Sequence, residues 1–198
     1  MTETARIEAF SDGVFAIAVT LLVLDLKVPR DLENDVTLGA ALLQEWPAYL
    51  AFVASFVTIL IMWINHHRMF TLIGRADDTL MFANGMLLFG VTALPFPTSL
   101  VADYLGHPGQ FLAAAVYNGT FILISVGFNF VWFTARSRLK STADPAAVQA
   151  ITDSYRLGPV MYLVTFAIGF ANVAVSLLLV LGMALYWALP KRAKRTRA

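Results

Sequence analysis

Uncharged runs dominate this chain. Residues 46–65, 79–102, 108–135 and 157–190 contain no Asp, Glu, Lys, Arg or His. A further apolar stretch, 7–26, follows Arg6, carries Glu8 and Asp12 in its first turns and has Asp25 near its far end. A helix needs about 20 mostly apolar residues to cross the hydrocarbon core of a bilayer. The pattern therefore predicts membrane-spanning helices over 7–26, 38–66, 79–102 and 110–135. Polar punctuation separates them: Pro29 with its following acids, the WINHHR stretch at 63–68, DYLGHPG at 103–109, and RSRLK after residue 135. The last run holds 34 residues, too many for one ordinary span and barely enough for two. GFAN, at 169–172, is its one plausible turn, because Gly and Asn tolerate left-handed backbone. Spans are expected there at 156–170 and 173–190.

Composition fixes the class. The chain is 59% hydrophobic and 14% charged, with a mean hydropathy of +0.71, against about 45–50% and roughly 25% for soluble domains. An ordinary soluble core is excluded. The absence of cysteine removes disulfides, cysteine nucleophiles and thiolate zinc sites. The zinc-protease HExxH, the hydrolase GxSxG and the phosphate-binding P-loop are all missing, so neither an enzyme nor a cofactor is read from the sequence. The acids within 7–26 mark that stretch as a retained span rather than a cleaved leader.

The distribution of charge predicts a topology. With six spans and a cytoplasmic N-terminus, the inside holds Arg6, Arg68, Arg75, Arg136, Arg138, Lys140, Arg156 and the five basic residues of KRAKRTR. The outside holds only Lys27 and Arg30. Positive charge concentrates on cytoplasmic loops, and five spans would put the basic tail on the wrong side. The expectation is an all-α membrane protein of six transmembrane helices, both termini cytoplasmic, forming one domain in the cell (inner or plasma) membrane. The tail fixes topology and has anionic lipid as a second possible partner. The outer side is acidic, with Asp25, Asp31, Glu33, Asp35, Glu45 and Asp103. That asymmetry favours cations at the mouth of any pore, although loops require polar residues in any case.

The first helix has two faces. At about 100° per residue, Phe10, Val14, Ile17, Leu21 and Leu24 form one stripe. Asp12 lies opposite, with Glu8, Phe15 and Val19, and Asp25 returns near the stripe at its outer end. A carboxylate facing lipid at midspan costs about 2.5–3.5 kcal/mol on insertion scales, so Asp12 should face protein. Its candidate partners are His66, His67 and Asn84, at similar depth on the second and third spans. Such residues serve as fixed interhelical bonds or as a proton relay. Adjacent histidines project about 100° apart on a helix, and with no further ligand pattern no metal site is read. The stripe fits ordinary packing or the lining of a pore. The potassium-filter sequence TVGYG is absent, so any pore here selects by other means.

Three motifs favour the pore. Arg6, Phe10, Ser11 and Asp12 open the first helix as R-x-x-x-F-S-D. Trp63, His66, His67 and Phe70 close the second as W-x-x-H-H-x-x-F. Asp77 and Asn84 open the third, which ends in PFPT at Pro95 to Thr98. In combination they resemble the transmembrane-protein-175 family of potassium channels. The resemblance is carried by the first hundred residues; the remainder matches in span count and topology.

The resemblance implies a homotetrameric, weakly potassium-over-sodium-selective cation channel, with membrane lipid and potassium ions as partners and no nucleic acid. It implies first helices around a central pore and a hydrophobic constriction at Ile17. Leu21 and Leu24 would stand above that ring, with Thr20 as a polar layer and permeant potassium near Thr20 and Ile17. Asp25 would sit at the outer mouth. Arg6, Phe10, Ser11, Asp12, Trp63, His66, His67 and Asn84 would hold the pore helix in place. Some members carry serine just before the constriction isoleucine; here it is Ala16. The alternative readings are a secondary transporter or permease, or a proton-conducting protein using Asp12 and His66/His67.

Overall fold

The computed structural model describes residues 3–29 and 37–188. The expected outer-loop charges Arg30, Asp31, Glu33 and Asp35, the end of the sixth span and the basic tail lie outside the described residues. Within the described residues every regular element is helical. Helix α1 is Glu3–Leu21 and tightens into a 3-10 turn at Leu22–Asp25. Then follow α2 (Leu38–Gln44), α3 (Trp46–Phe70), α4 (Asp78–Ala93), α5 (Pro95–Tyr104), α6 (Gln110–Ala135), α7 (Pro145–Gly169) and α8 (Val173–Ala188).

Four stretches are long and apolar enough to cross a membrane: Thr4–Asp25, Trp46–Phe70, Asp78–Tyr104 and Gln110–Arg138. Two of them refine the expected spans. The second does not run unbroken from residue 38. It divides at Glu45 into α2 and α3, with Pro47 in the first turn of α3, where its missing N–H costs nothing. The third is interrupted at Leu94, because Pro95 and Pro97 cannot donate back to the preceding turn and so start a new helix, α5. The closing run separates into α7 and α8 on either side of residues 170–172. Helix α7 starts at Pro145, with Asp144 capping the Ala146 N–H, so it carries a polar leading half before its apolar one.

The helices pack around a core of Phe15, Leu22, Ile59, Leu87, Phe121 and their neighbours. Helix α1 lies against α3 and α4, and α6 backs α4 on one side and α7 on the other. The approach of α4 to α6 depends on small residues. A Cβ on Gly90 would stand 2.9 Å from the Ile124 side chain, and one on Gly127 would meet the Leu87 backbone at 3.1 Å. At one end, the strand-like pairing of Ile73 with Leu139 ties the α3–α4 connection to the segment after α6. Arg138 locks that end by donating to the Asp77 carboxylate at 2.5 Å. The guanidinium bond, together with the Leu80 N–H donated to the same side chain, holds the Asp77 carboxyl below its ordinary range. At the other end Lys27, just past α1, pairs with Asp103 at 2.6 Å, and that bond raises the lysine's pKa.

Helix α7 contains Pro159, whose ring nitrogen cannot donate to the Tyr155 carbonyl one turn back. The side chain of Asn129 on α6 donates to that carbonyl instead, at 2.8 Å. In a membrane span, freed backbone groups must find such partners, since lipid offers none.

Candidate functional site

Helix α1 presents one face to protein and another away from it. Ile7, Ser11, Phe15, Ala18 and Leu22 are buried, at spacings of four, four, three and four. On the other face Phe10 is 67% exposed, Ile17 59%, Leu21 41% and Leu24 73%. Val14, expected on the same stripe, is half-buried. The 3-10 turn adds a local consequence. With three residues per turn, side chains at i and i+3 eclipse, so Leu21 and Leu24 line up rather than diverge. Thr20 is exposed beside them, and its hydroxyl donates to the Ile17 carbonyl at 2.9 Å.

Three polar contacts pin the N-terminal half of α1. The first is a buried relay. His66 Nε2 and Asn84 Oδ1 are 2.9 Å apart, Asn84 Nδ2 donates to Ser11 Oγ at 2.9 Å, and Ser11 donates to the Ile7 carbonyl at 2.8 Å. Each donor in the chain is thereby fixed, and the imidazole carries its proton on Nε2. Its Nδ1 is buried and has no partner among the described residues. The ring stacks on Phe70, with centroids 4.3 Å apart, and tilts against Phe15. The second contact is Trp63 Nε1–H donating to Asp12 Oδ1 at 2.7 Å. The third is His67 Nδ1 against Glu8 Oε1 at 2.5 Å.

The predicted anchoring residues thus separate into groups. Ser11, His66 and Asn84 meet directly. Asp12 bonds to Trp63 and not to the histidines or Asn84 proposed as its partners, because Trp63 lies one turn before His66 and reaches α1 first. Phe10 does not join the network; it stands on the exposed face. Arg6 is exposed and makes no hydrogen bond or ion pair with the network among the described residues. It borders a hollow of about 450 Å³ together with Phe10, Met81 and Asn84. Asp25 ends the 3-10 turn half-buried, with Oδ2 enclosed and without a partner among the described residues.

Other polar contacts were not foreseen. Glu8 shares Asp12's face one turn earlier, which was the available signal for its bond to His67. Thr98 of the PFPT motif is buried against Ser55, 2.8 Å away, and Ser55 lies 3.2 Å from the Tyr117 hydroxyl. Only the presence of hydroxyls within apolar runs hinted at that cluster. Among the described residues no group of His, Cys, Asp and Glu is arranged to hold a metal.

A helical membrane protein whose leading helix is bonded to its neighbours along one face and left apolar and open along the other has the makings of a pore-forming channel subunit. The chain matches the family described as the endosomal/lysosomal potassium channel TMEM175 over residues 6–95, a segment that includes all three polar contacts above. It is 50% identical over 196 residues to a potassium channel of Chamaesiphon minutus, covering 97% of each chain. It is 40% identical over 181 residues to a potassium channel of Streptomyces collinus, covering 89% of this chain and 87% of that one. A crystal structure of a lysosomal potassium-selective channel TMEM175 homolog from Chamaesiphon minutus superposes with a TM-score of 0.87 at 50% identity, over 94% of this chain and 96% of that one. The chain belongs to the TMEM175 family of ion channels.

Proposed function

We propose that this protein is a potassium channel of the cell membrane in which four copies surround one pore. The α1 face bearing Ile17, Leu21 and Leu24 is its constriction. The observation that carries the reading is the division of α1. Ile17 and Leu24 are left uncovered in a single subunit while the opposite face is bonded to α3 and α4. In the tetramer the uncovered face turns to the shared axis.

The mechanism follows from the chemistry of that face. An apolar ring offers an ion no oxygen ligands, so a narrow ring excludes water and with it the ion. A small rotation or bend of α1 widens the ring enough for a partly dehydrated ion to pass. Gly13, exposed and with no neighbour within 4 Å of the position a Cβ would take, leaves room for such a bend. Potassium sheds water more readily than sodium, which gives a weak preference where ligands are poor. Thr20 keeps hydroxyl lone pairs for partial replacement of the shell. The Ser11–Asn84–His66 and Asp12–Trp63 contacts set the rotation of α1 and hence which side chains reach the axis.

The test is bilayer recording of Ile17→Asn. A ring of amides wets the constriction, so leak conductance rises and the potassium–sodium reversal potential moves toward zero. Wild-type conductance and reversal potential in that variant would count against a constriction at Ile17. A proton relay through Asp12 and His66 has less support, because no hydrogen bond joins the two: each is bonded to a different residue.

A further inference from the structure

On the inner side, away from α1, a pocket of about 300 Å³ opens where the end of α3, the polar half of α7 and the end of α8 meet. Arg68 comes from the last turn of α3 and Thr71 from just past it, Ala150 and Ser154 from one face of α7, and Trp187 from α8. Ile151 and Leu72 supply apolar wall. Arg68 is half-buried, yet among the described residues no carboxylate lies within ion-pair distance of it. Among the described residues it makes one hydrogen bond, a long one of 3.5 Å to the Ala188 carbonyl. Lys140, which is exposed, donates to the carbonyl of Thr71, a residue of the same pocket, at 2.8 Å.

A guanidinium drawn partly out of water without a counter-charge is costly unless an anion is supplied. Depth identifies the supplier. Trp187, with Tyr186 beside it, ends the last apolar helix, where aromatic residues sit at headgroup level. The sequence past Ala188 adds five basic residues. Basic pockets between helices on the cytoplasmic side are sites for anionic headgroups. We infer that this pocket binds the phosphate of an anionic inner-leaflet phospholipid, with Arg68 as the main phosphate ligand, Lys140 adding charge and the apolar wall taking the start of an acyl chain. The inference rests on the inside-positive orientation but not on the pore assignment.

The test uses the full-length assembled protein. Native mass spectrometry counts the lipids retained after reconstitution in phosphatidylcholine with and without phosphatidylglycerol. Wild type should retain phosphatidylglycerol preferentially, and Arg68→Gln should cut that preference about fivefold or more, the factor given by about one lost phosphate–cation contact. Arg136→Gln removes an exposed cation of the same side and should leave the preference intact. Ala150→Phe keeps Arg68 but fills the pocket, and should lose the lipid if the pocket, not diffuse charge, holds it. Equal losses in Arg68→Gln and Arg136→Gln, or none in either, overturn the proposal. A parallel arm adds inorganic phosphate to detergent-purified protein. Thermal stabilisation there that depends on Arg68, without any preference for phosphatidylglycerol, keeps the phosphate site and overturns the lipid as its source.

Discussion

The bond between Trp63 and Asp12 sets much of what α1 can do. An indole N–H has one donor and no acceptor, so it is matched to a carboxylate that must face protein. Replacing Trp63 with Phe removes the donor and leaves the acid behind. Because hydrogen bonds to charged groups contribute about 1.5–3 kcal/mol, Trp63→Phe should lower thermal stability of the assembled protein by that order. Adding Asp12→Leu to Trp63→Phe should recover part of the loss, since no polar group is then stranded. Strict additivity in thermal unfolding of the two single variants and the double one would contradict the assignment. The sequence indicated that Asp12 must face protein, because the cost of facing lipid is large and the helical period places it opposite the stripe. It did not indicate the partner. Trp63, His66 and Asn84 sit within about a turn of one another in depth, and only the crossing of α1 over α3 decides which side chain each α1 residue meets.

Elements form here under the constraint that every backbone group inside a membrane needs a partner. Pro159 breaks that rule within α7, and Asn129 repairs it across the helix interface. Asn129→Leu should therefore destabilise by about 1–3 kcal/mol, the cost of an orphaned buried carbonyl. In a Pro159→Ala background, where the restored N–H serves Tyr155, the same substitution should cost markedly less. Equal costs in both backgrounds, by thermal unfolding, would show that Asn129 acts in some other way. The Asp77–Arg138 pair closes α4 onto the end of α6 and has a pH signature. A carboxyl whose folded-state pKa is depressed contributes stability that is complete above its unfolded value, 3.8, and lost as pH falls through the lower folded value. Unfolding scans should show extra acid destabilisation below about pH 4 in wild type that is reduced in Asp77→Asn. The effect is modest, because the Asp77 side chain is about half exposed to water. Element boundaries were less legible than element existence. Hydropathy averages over a window, so it ran across Glu45 and Leu94, where Pro47 and Pro95 mark new helix starts. GFAN was legible because a run of 34 residues needs a break somewhere and offers few candidates.

For the whole molecule, the decisive feature is which face α1 leaves uncovered. The helical wheel identified Phe10, Val14, Ile17, Leu21 and Leu24 as one stripe, and a single subunit leaves all of them exposed except half-buried Val14. Periodicity gave their common direction but not what lies opposite, since lipid and a water-excluding pore both suit apolar side chains. The exposure of Phe82, Phe89 and other α4 side chains looks no different by area. What separates α1 is that its packed face carries the polar anchors, which fix its rotation where a lipid-facing helix needs no such control. The chain contains no cysteine, so a single introduced thiol is unique. Current through reconstituted Ile17→Cys channels, recorded before and after cadmium is added, tests the account most directly. Four thiolates around one axis should chelate the ion and abolish the current reversibly. Current that persists unchanged under cadmium would contradict an Ile17 constriction and turn α1 away from the pore.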